Sequence, residues 1–408
     1  MKVRTLKEQF QIKDEILKEK LENLVGPLMA ECGIDVWLVL SKEYNEDPIF
    51  KKLVPSGFPT ARRLTILVLH QKNGQLKTYS VSMPDHCLDD FYSPFWDKEK
   101  ESQFDALNRL LKELNPKTIG LNISTNYAYC DGLTVGLYDL LEKEIAEEWI
   151  NLFISAESIG IRFLETRSSL EEKYWPEVMQ LALDIIYKMY SKDTINIGHT
   201  TCDDLEWFMM QEVNNLGLSF WFPPTMDLQR KTGQFSGDTI IMEGDLLHCD
   251  FGIEYLGLCT DTQRLAYVKR DNETELPKGL VLGMRQNNRF QDIVCDNFKV
   301  LRSGNDVFIR SLEQAKEEGI KAMLYSHPLG LHGHAAGPTI GLYSDQNPQP
   351  IKGELLIHDA TGYALELNTS MVIEGYEKPV SFYTEESVFF KDGNVIYLGE
   401  GREEIILV

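Results

Sequence analysis

The stretch Leu246-Leu-His-Cys-Asp-Phe-Gly-Ile-Glu-Tyr-Leu-Gly-Leu-Cys-Thr-Asp-Thr-Gln-Arg264 limits what this chain can become more than any other. Leu246 to Gly252 and Gly257 to Ala266 have the texture of strands, and the segment Ile-Glu-Tyr-Leu-Gly between them that of a turn. A hairpin folded about Tyr255 and Leu256 sets Asp250 opposite Asp261, and residues paired across an antiparallel ladder point to one face. Two like charges so placed repel by up to about a kcal/mol. A divalent cation between them reverses that sign. Both strands are apolar enough to be largely buried, which ranks a metal site above a solvated hairpin with two surface aspartates. By the same alternation His248 and Cys259 share the aspartate face, where packing behind the ligands is the preferred reading. Arg264 falls on the opposite face and is expected to anchor the sheet.

A segment far downstream adds the imidazole that such a site lacks. Ser326-His-Pro-Leu-Gly-Leu-His-Gly-His-Ala-Ala-Gly-Pro338 packs three of the chain's eight histidines into a stretch dense in glycine and proline. That composition fixes a tight irregular backbone, able to hold a side chain out of regular geometry. Histidine is both a metal ligand and a general acid or base. Glu366 sits between apolar neighbours in Tyr363-Ala-Leu-Glu-Leu-Asn368, and Glu385 precedes the strand-like run Val388-Phe-Phe390. Either glutamate alone reads as a surface or salt-bridged residue. In order with Asp250, Asp261 and His327 they complete what a two-metal hydrolytic site requires.

Length and charge bound the rest. A chain of 408 residues is too long for one ordinary core, so two domains are expected. The net charge of −22 argues against nucleic acid or an anionic membrane as partner. No apolar run approaches a membrane span, and Met-Lys-Val-Arg-Thr-Leu-Lys-Glu has no secretory apolar core, so a cytoplasmic location is expected provided no leader has been removed. The seven cysteines are scattered without a C-x-x-C pair, as for free thiols in a reducing compartment.

Helices and strands alternate over roughly the first 160 residues: a helical period from Leu6 to Cys32, strands at Asp35 to Ser41, Arg63 to His70 and Leu76 to Val81, a helix at Ala106 to Leu114, and a strand at Thr118 to Asn122. That pattern predicts a small α/β domain over residues 1–165. Ser169-Leu-Glu-Glu172 then reads as a capping box opening a long amphipathic helix, and Thr201-Cys-Asp-Asp204 caps the next. From Asp238 onward strands and glycines dominate, and every expected ligand lies there. Residues 166–408 are expected to form the catalytic domain.

These motifs resemble the pita-bread metallopeptidases: methionine aminopeptidases, Xaa-Pro aminopeptidases and prolidases. Cys249-Asp-Phe-Gly252 and Thr260-Asp-Thr-Gln-Arg264 are similar to the family's aspartate stretch. His327-Pro-Leu-Gly330 with His334 seven residues on is similar to its histidine segment. Glu366 and Glu385-Glu-Ser-Val388 are similar to its last two ligands, with Glu386 a neighbour rather than a ligand. The resemblance covers roughly residues 166 to 395. It implies an α+β fold, in which a curved antiparallel sheet covered by helices follows a smaller α/β domain of the creatinase/prolidase type. It also implies two divalent ions held by Asp250, Asp261, His327, Glu366 and Glu385. On this resemblance Asp261 and Glu385 bridge the ions, Asp250 completes one, and His327 with Glu366 the other.

Glu366 is then the proton carrier and His334 orients the scissile group. An oxygen-rich set with one nitrogen suits Mn²⁺, with Co²⁺, Zn²⁺ and Fe²⁺ as alternatives. The implied function is hydrolysis of short peptides from one end by a homodimeric exopeptidase. The chain departs from the family in three places. Ala335-Ala336 stands where an acidic residue often follows the second histidine, Gln229 to Gln234 contains no histidine, and Met323 replaces a helper histidine. A weakened or altered preference for proline is therefore expected. The rival readings are a catalytically retired binding protein and a creatinase-like metal-free hydrolase. Retention of all five ligands disfavours both.

Overall fold

The computed structural model describes residues 2–271 and 273–408. The chain divides into two compact units, one over Arg4–Leu164 and one built on Glu165–Val408.

In the first unit a six-stranded mixed sheet is ordered Ser93–Pro94, Gln75–Val81, Leu64–Lys72, Val36–Lys42, Ile119–Leu121, Phe153–Ser155. The apolar period from Leu6 gives two helices, Leu6–Asn23 and Val25–Glu31, rather than one. Helix Gln103–Leu114 shows how local sequence sets an element. Ser102 caps its start, Ala106, Leu107, Leu110 and Leu111 recur at helical spacing on the buried face, and Asn115 ends it in the left-handed region at φ 48°. Those four residues pack on Val36, Leu38, Leu40, Ile66 and Val68 of the sheet.

The second unit carries a ten-stranded, almost wholly antiparallel sheet. Its centre runs Thr361–Met371, Val380–Lys391, Thr262–Tyr267, Leu246–Phe251, Thr225–Arg230. Alternation sorts the residues of these strands. Tyr363, Leu365, Leu367, Val388 and Phe390 turn to one face, where helix Lys278–Asn297 covers them through Phe290, Ile293 and Val294. Glu366 and Glu385 turn to the other face, directly opposite one another in the ladder. Glu385 thus lies inside the strand Val380–Lys391 rather than ahead of it.

The structure corrects several local expectations. The long helix Ser169–Met189 is capped one residue earlier than expected, by Ser168 with Glu171. Glu171 is the partner because its carboxylate is buried against Ser168 N and Arg167, whereas Glu172 reaches out to Lys391 at 2.6 Å. The cap at Thr201 and Asp204 forms as expected. The aspartate hairpin turns at Leu256 and Gly257, with φ 56° and 79°, not at Tyr255 and Leu256. A two-residue turn with both residues left-handed matches strand twist, and Gly257 takes that conformation at no steric cost.

Moving the turn by one residue moves the pairing by two, so Asp250 faces Gln263 rather than Asp261. The hairpin is also not continuous. Ile253–Tyr255 and Leu258–Cys259 leave the large sheet and pair with Ser219–Phe220 in a small sheet of three strands. The bend is made at Gly252, where any Cβ would collide with Trp221 and the Thr260 carbonyl. Cys259 therefore leaves the aspartate face and pairs with Glu254.

Candidate metal centre

Four strands supply one row of polar side chains on the face away from the helices: Asp250, Gln263, Glu385 and Glu366, each opposite the next. Asp261 precedes its strand and is off the ladder. Ser387 holds it there, its hydroxyl accepting from Asp261 N at 3.0 Å and donating to Asp261 O at 2.8 Å. His327 pairs with Ala364, two residues along the strand from Glu366, and so reaches the row from its end.

The five expected ligands are brought together. Ligand atoms of Asp261, His327 and Glu385 lie within 4.8 Å of one another, as do those of Asp250, Glu366 and Glu385. Glu385 belongs to both trios. Asp261 falls in the first trio and Glu366 in the second. His334 and His332 fall outside both trios.

The chemistry of these groups fits a cation. Asp250 Oδ1, Asp261 Oδ1 and Glu385 Oε1 are buried and accept no hydrogen bond, an arrangement that costs free energy unless a positive group answers it. His327 donates from Nδ1 to the Pro328 carbonyl at 3.0 Å. That contact fixes the tautomer and leaves Nε2 facing Asp261 at 3.4 Å and Glu385 at 3.7 Å.

Burial, then mutual repulsion, lifts the carboxylates. Asp250 rises to about 6 and Glu366 to about 7, in both cases first through burial. Asp261 and Glu385 are also raised, by burial and then by their acidic neighbours. Burial opposes the charged form of His327, but Glu385 and Glu366 outweigh it and its pKa is raised. Four carboxylates and one imidazole carry a nominal charge of −4, which two divalent ions would balance.

Around this cluster the packing is specific. Arg264, on the far face as expected, makes a paired contact with Glu386 at 2.7 and 2.9 Å, and both residues are buried. That contact takes Glu386 out of contention as a ligand. His334 stands edge-on to His327 with ring centroids 4.7 Å apart, and to Trp221 at 5.1 Å. Desolvation and the neighbouring His327 hold His334 down to about 4, so it is neutral at pH 7. Trp221 is itself fixed by a bond from Nε1 to the Thr260 carbonyl at 2.9 Å and packs on Phe222.

Gln263, Asp227 and Trp221 are not among the expected site residues. The alternation that puts His248 on the aspartate face also points to Gln263, two residues after Asp261. Asp227 and Trp221 come from separate segments with no local signal. His248 lies on that face as expected, with Nδ1 on Asp227 at 2.7 Å and Nε2 on Gln263 Oε1 at 2.9 Å.

No family model and no curated protein matches the chain. Solved structures do. The X-Pro aminopeptidase from Thermotoga maritima MSB8 superposes with a TM-score of 0.65 at 16% identity, over 92% of this chain and 98% of that one. The Xaa-Pro dipeptidase from Bacillus anthracis gives 0.62 at 16% identity, over 98% and 100%. The prolidase from Pyrococcus horikoshii OT3 gives 0.59 at 15% identity, over 96% and 100%. This chain has the pita-bread fold. Its large antiparallel sheet is the pita-bread sheet, and the smaller mixed sheet precedes it as expected. At these identities the likeness establishes the fold alone.

Proposed function

We propose that the chain is a metal-dependent exopeptidase that cleaves short peptides, of the Xaa-Pro aminopeptidase or prolidase type. The observation that carries this reading is the convergence of Asp250, Asp261, His327, Glu366 and Glu385, with buried carboxylate oxygens that accept nothing from the protein. These five residues would hold two divalent ions, with Mn²⁺ the ion that best suits one imidazole among oxygens. Such ions, when bound, polarise a carbonyl and supply an activated water at neutral pH.

The chain's own groups do the rest. Glu366, which accepts from Gln263 Nε2 at 2.7 Å, is the group placed to carry a proton to the departing nitrogen. His334 is neutral and backed by Trp221, and it orients the scissile group by hydrogen bonding. The same reading takes residues 1–165 as a domain that restricts substrate length and 166–408 as the catalytic domain. It further takes the protein to be a homodimer in a reducing cytoplasm, which seven cysteines without a disulfide among the described residues suit.

A panel of matched Xaa-Pro and Xaa-Ala peptides offered to Mn²⁺-loaded protein tests the substrate class. Cleavage of both is expected, with proline favoured by less than in typical relatives, because unmade hydrogen bonds near the reacting group cost about 1–3 kcal/mol of discrimination. A proline preference of several thousandfold would overturn the altered specificity. No cleavage of any peptide would favour the retired binding protein. Glu366→Gln should fold normally yet lose about 10²- to 10⁴-fold in kcat, the range for removing a positioned proton carrier. Near wild-type kcat would reassign that role.

A further inference from the structure

The helix Ser169–Met189 seats the loop between His327 and His334, and a buried charge at its start takes part. Arg167 stands just ahead of the cap residue Ser168, with its side chain fully buried. Its Nη1 donates to Glu171 Oε1 at 3.2 Å, and the other oxygen of Glu171 accepts from Ser168 N at 2.7 Å. The backbone N of Arg167 donates to the Ala360 carbonyl at 2.8 Å. Burial lowers the pKa of the guanidinium, and the carboxylates of Glu171 and Glu165 oppose that shift. Gly330 runs over this group. A Cβ there would stand only 3.1 Å from Arg167 Cζ and Nη1, so the loop backbone lies against the guanidinium. The Gly330 carbonyl accepts from Cys259 N at 2.7 Å, and the Cys259 carbonyl accepts from Trp175 Nε1 of the same helix at 2.8 Å. Further along the loop Gly333 lies against the Trp221 indole, where a Cβ would collide, and His334 follows edge-on to that ring.

We propose that Arg167 is a positioning residue for His334: its guanidinium sets the height of the loop at Gly330 and thereby where the His334 ring stands. Gly330 N donates to the His332 carbonyl at 3.0 Å, and Ala335 N to the Pro328 carbonyl at 3.0 Å. A displacement at Gly330 is therefore passed along a closed turn rather than absorbed by slack. His327 is insulated from it, because it pairs with Ala364 in the large sheet and holds its ring on the Pro328 carbonyl. The planar guanidinium suits a flat peptide in a way that a compact ammonium does not. The inference rests on the proposed peptidase reading only for its effect on rate; the placement of the ring does not depend on it.

The experiment compares full-length wild type with Arg167→Lys, Gly330→Ala and His334→Ala. Lysine keeps a positive charge beside Glu171 and Glu165 but loses the plane, whereas alanine at 330 presses on the plane and leaves the charges alone. The first readout is the ¹H–¹³C spectrum of chelated protein labelled at histidine, with the His334 ring peak identified by its loss in His334→Ala. That peak should move in both Arg167→Lys and Gly330→Ala, because the rings of Trp221 and His327 beside it set its shift. The His199 peak should stay, and thermal unfolding checks that each variant is folded. The second readout is kcat/KM on a cleaved dipeptide, per Mn²⁺-loaded protein. Arg167→Lys should lower it about tenfold, as for a catalytic group displaced by less than an ångström. That loss should shrink to less than about twofold once His334 is already alanine.

A His334 peak that is unmoved in folded Arg167→Lys and Gly330→Ala overturns the proposal. A rate loss that persists in full when His334 is alanine overturns it as well, because Arg167 would then act through another group or through stability alone. If Arg167→Lys does not fold, as disturbing a buried ion pair can cause, Gly330→Ala decides by the same peak. If wild type cleaves no peptide while the peak moves as expected, the peptidase reading falls and the placement of His334 by Arg167 stands.

Discussion

Chelation should abolish peptide hydrolysis by this chain, and Mn²⁺ or Co²⁺ should restore it. The expectation follows from what the cluster lacks as much as from what it contains. Two serine hydroxyls beside the ligands are committed to the backbone. Ser326 Oγ donates to the Glu366 carbonyl at 3.1 Å and accepts from Glu366 N at 3.0 Å. Ser387 bridges the backbone of Asp261 in the same way. Neither has an imidazole base within a hydrogen bond, so neither has the activation that a serine nucleophile needs. On the proposed reading the nucleophile is water, and the ions are what would make it competent at neutral pH. Their contribution of several kcal/mol corresponds to a loss of more than about a thousandfold on their removal. The measurement is kcat/KM on a cleaved dipeptide before chelation, after it, and after each metal is returned. Undiminished activity in chelated protein would sink the metal mechanism and revive the creatinase-like alternative.

The second large effect concerns stability rather than rate, and its sign is opposite to the usual one for carboxylates. Asp250 and Glu366 have folded pKa values raised to about 6 and about 7 from 3.8 and 4.5. Between the unfolded and folded values the native state binds more protons than the unfolded state, so stability falls as pH rises through that window. Each pKa unit is worth about 1.4 kcal/mol, which gives roughly 3 kcal/mol for either group alone and less than the sum for the coupled pair. Asp261 and Glu385, also raised, act in the same direction. So does His327, whose raised pKa gives stability that is lost at high pH. His334, lowered to about 4 from 6.5, works the other way between those values, as one group against five.

Chelated protein should therefore melt at a lower temperature at pH 8 than at pH 5, and Mn²⁺ should reverse the order, because the ions bind the ionised ligands. Overall negative charge gives a general decline with pH, so the specific part is read from Asp250→Asn, which should flatten the slope of the chelated protein. A chelated wild type equally stable at both pH values, or a slope that Asp250→Asn leaves untouched, would contradict the assignment of raised pKa values to this site.

Much of the centre is legible from local pattern. An aspartate in Leu246–Phe251 and a glutamate in Thr361–Met371 stand among residues of high apolar content, and period-two alternation assigns them the face away from Leu365, Leu367 and Cys249. That assignment needs no tertiary information, because successive side chains of a strand alternate whatever the strand pairs with. It is also why a pairing wrong by two residues still left Asp250 on the ligand face: an even shift preserves the face. The glycine- and proline-rich segment after Ser326 likewise announces a constrained loop carrying His327.

Register and neighbours are another matter. Whether Asp250 meets Asp261 or Gln263 depended on Leu256 entering the left-handed region beside Gly257 and on the chain bending at Gly252 into a second sheet. The bend at Gly252 is decided by close packing against Trp221, more than thirty residues upstream. The alignment of Glu385 between Gln263 and Glu366 depended on strands far apart in sequence. The sequence alone determined which side chains face the site, because alternation is a property of one strand. Only the tertiary structure decided which of them touch, because contact is a property of pairs, set by turns, bends and packing that no single strand encodes.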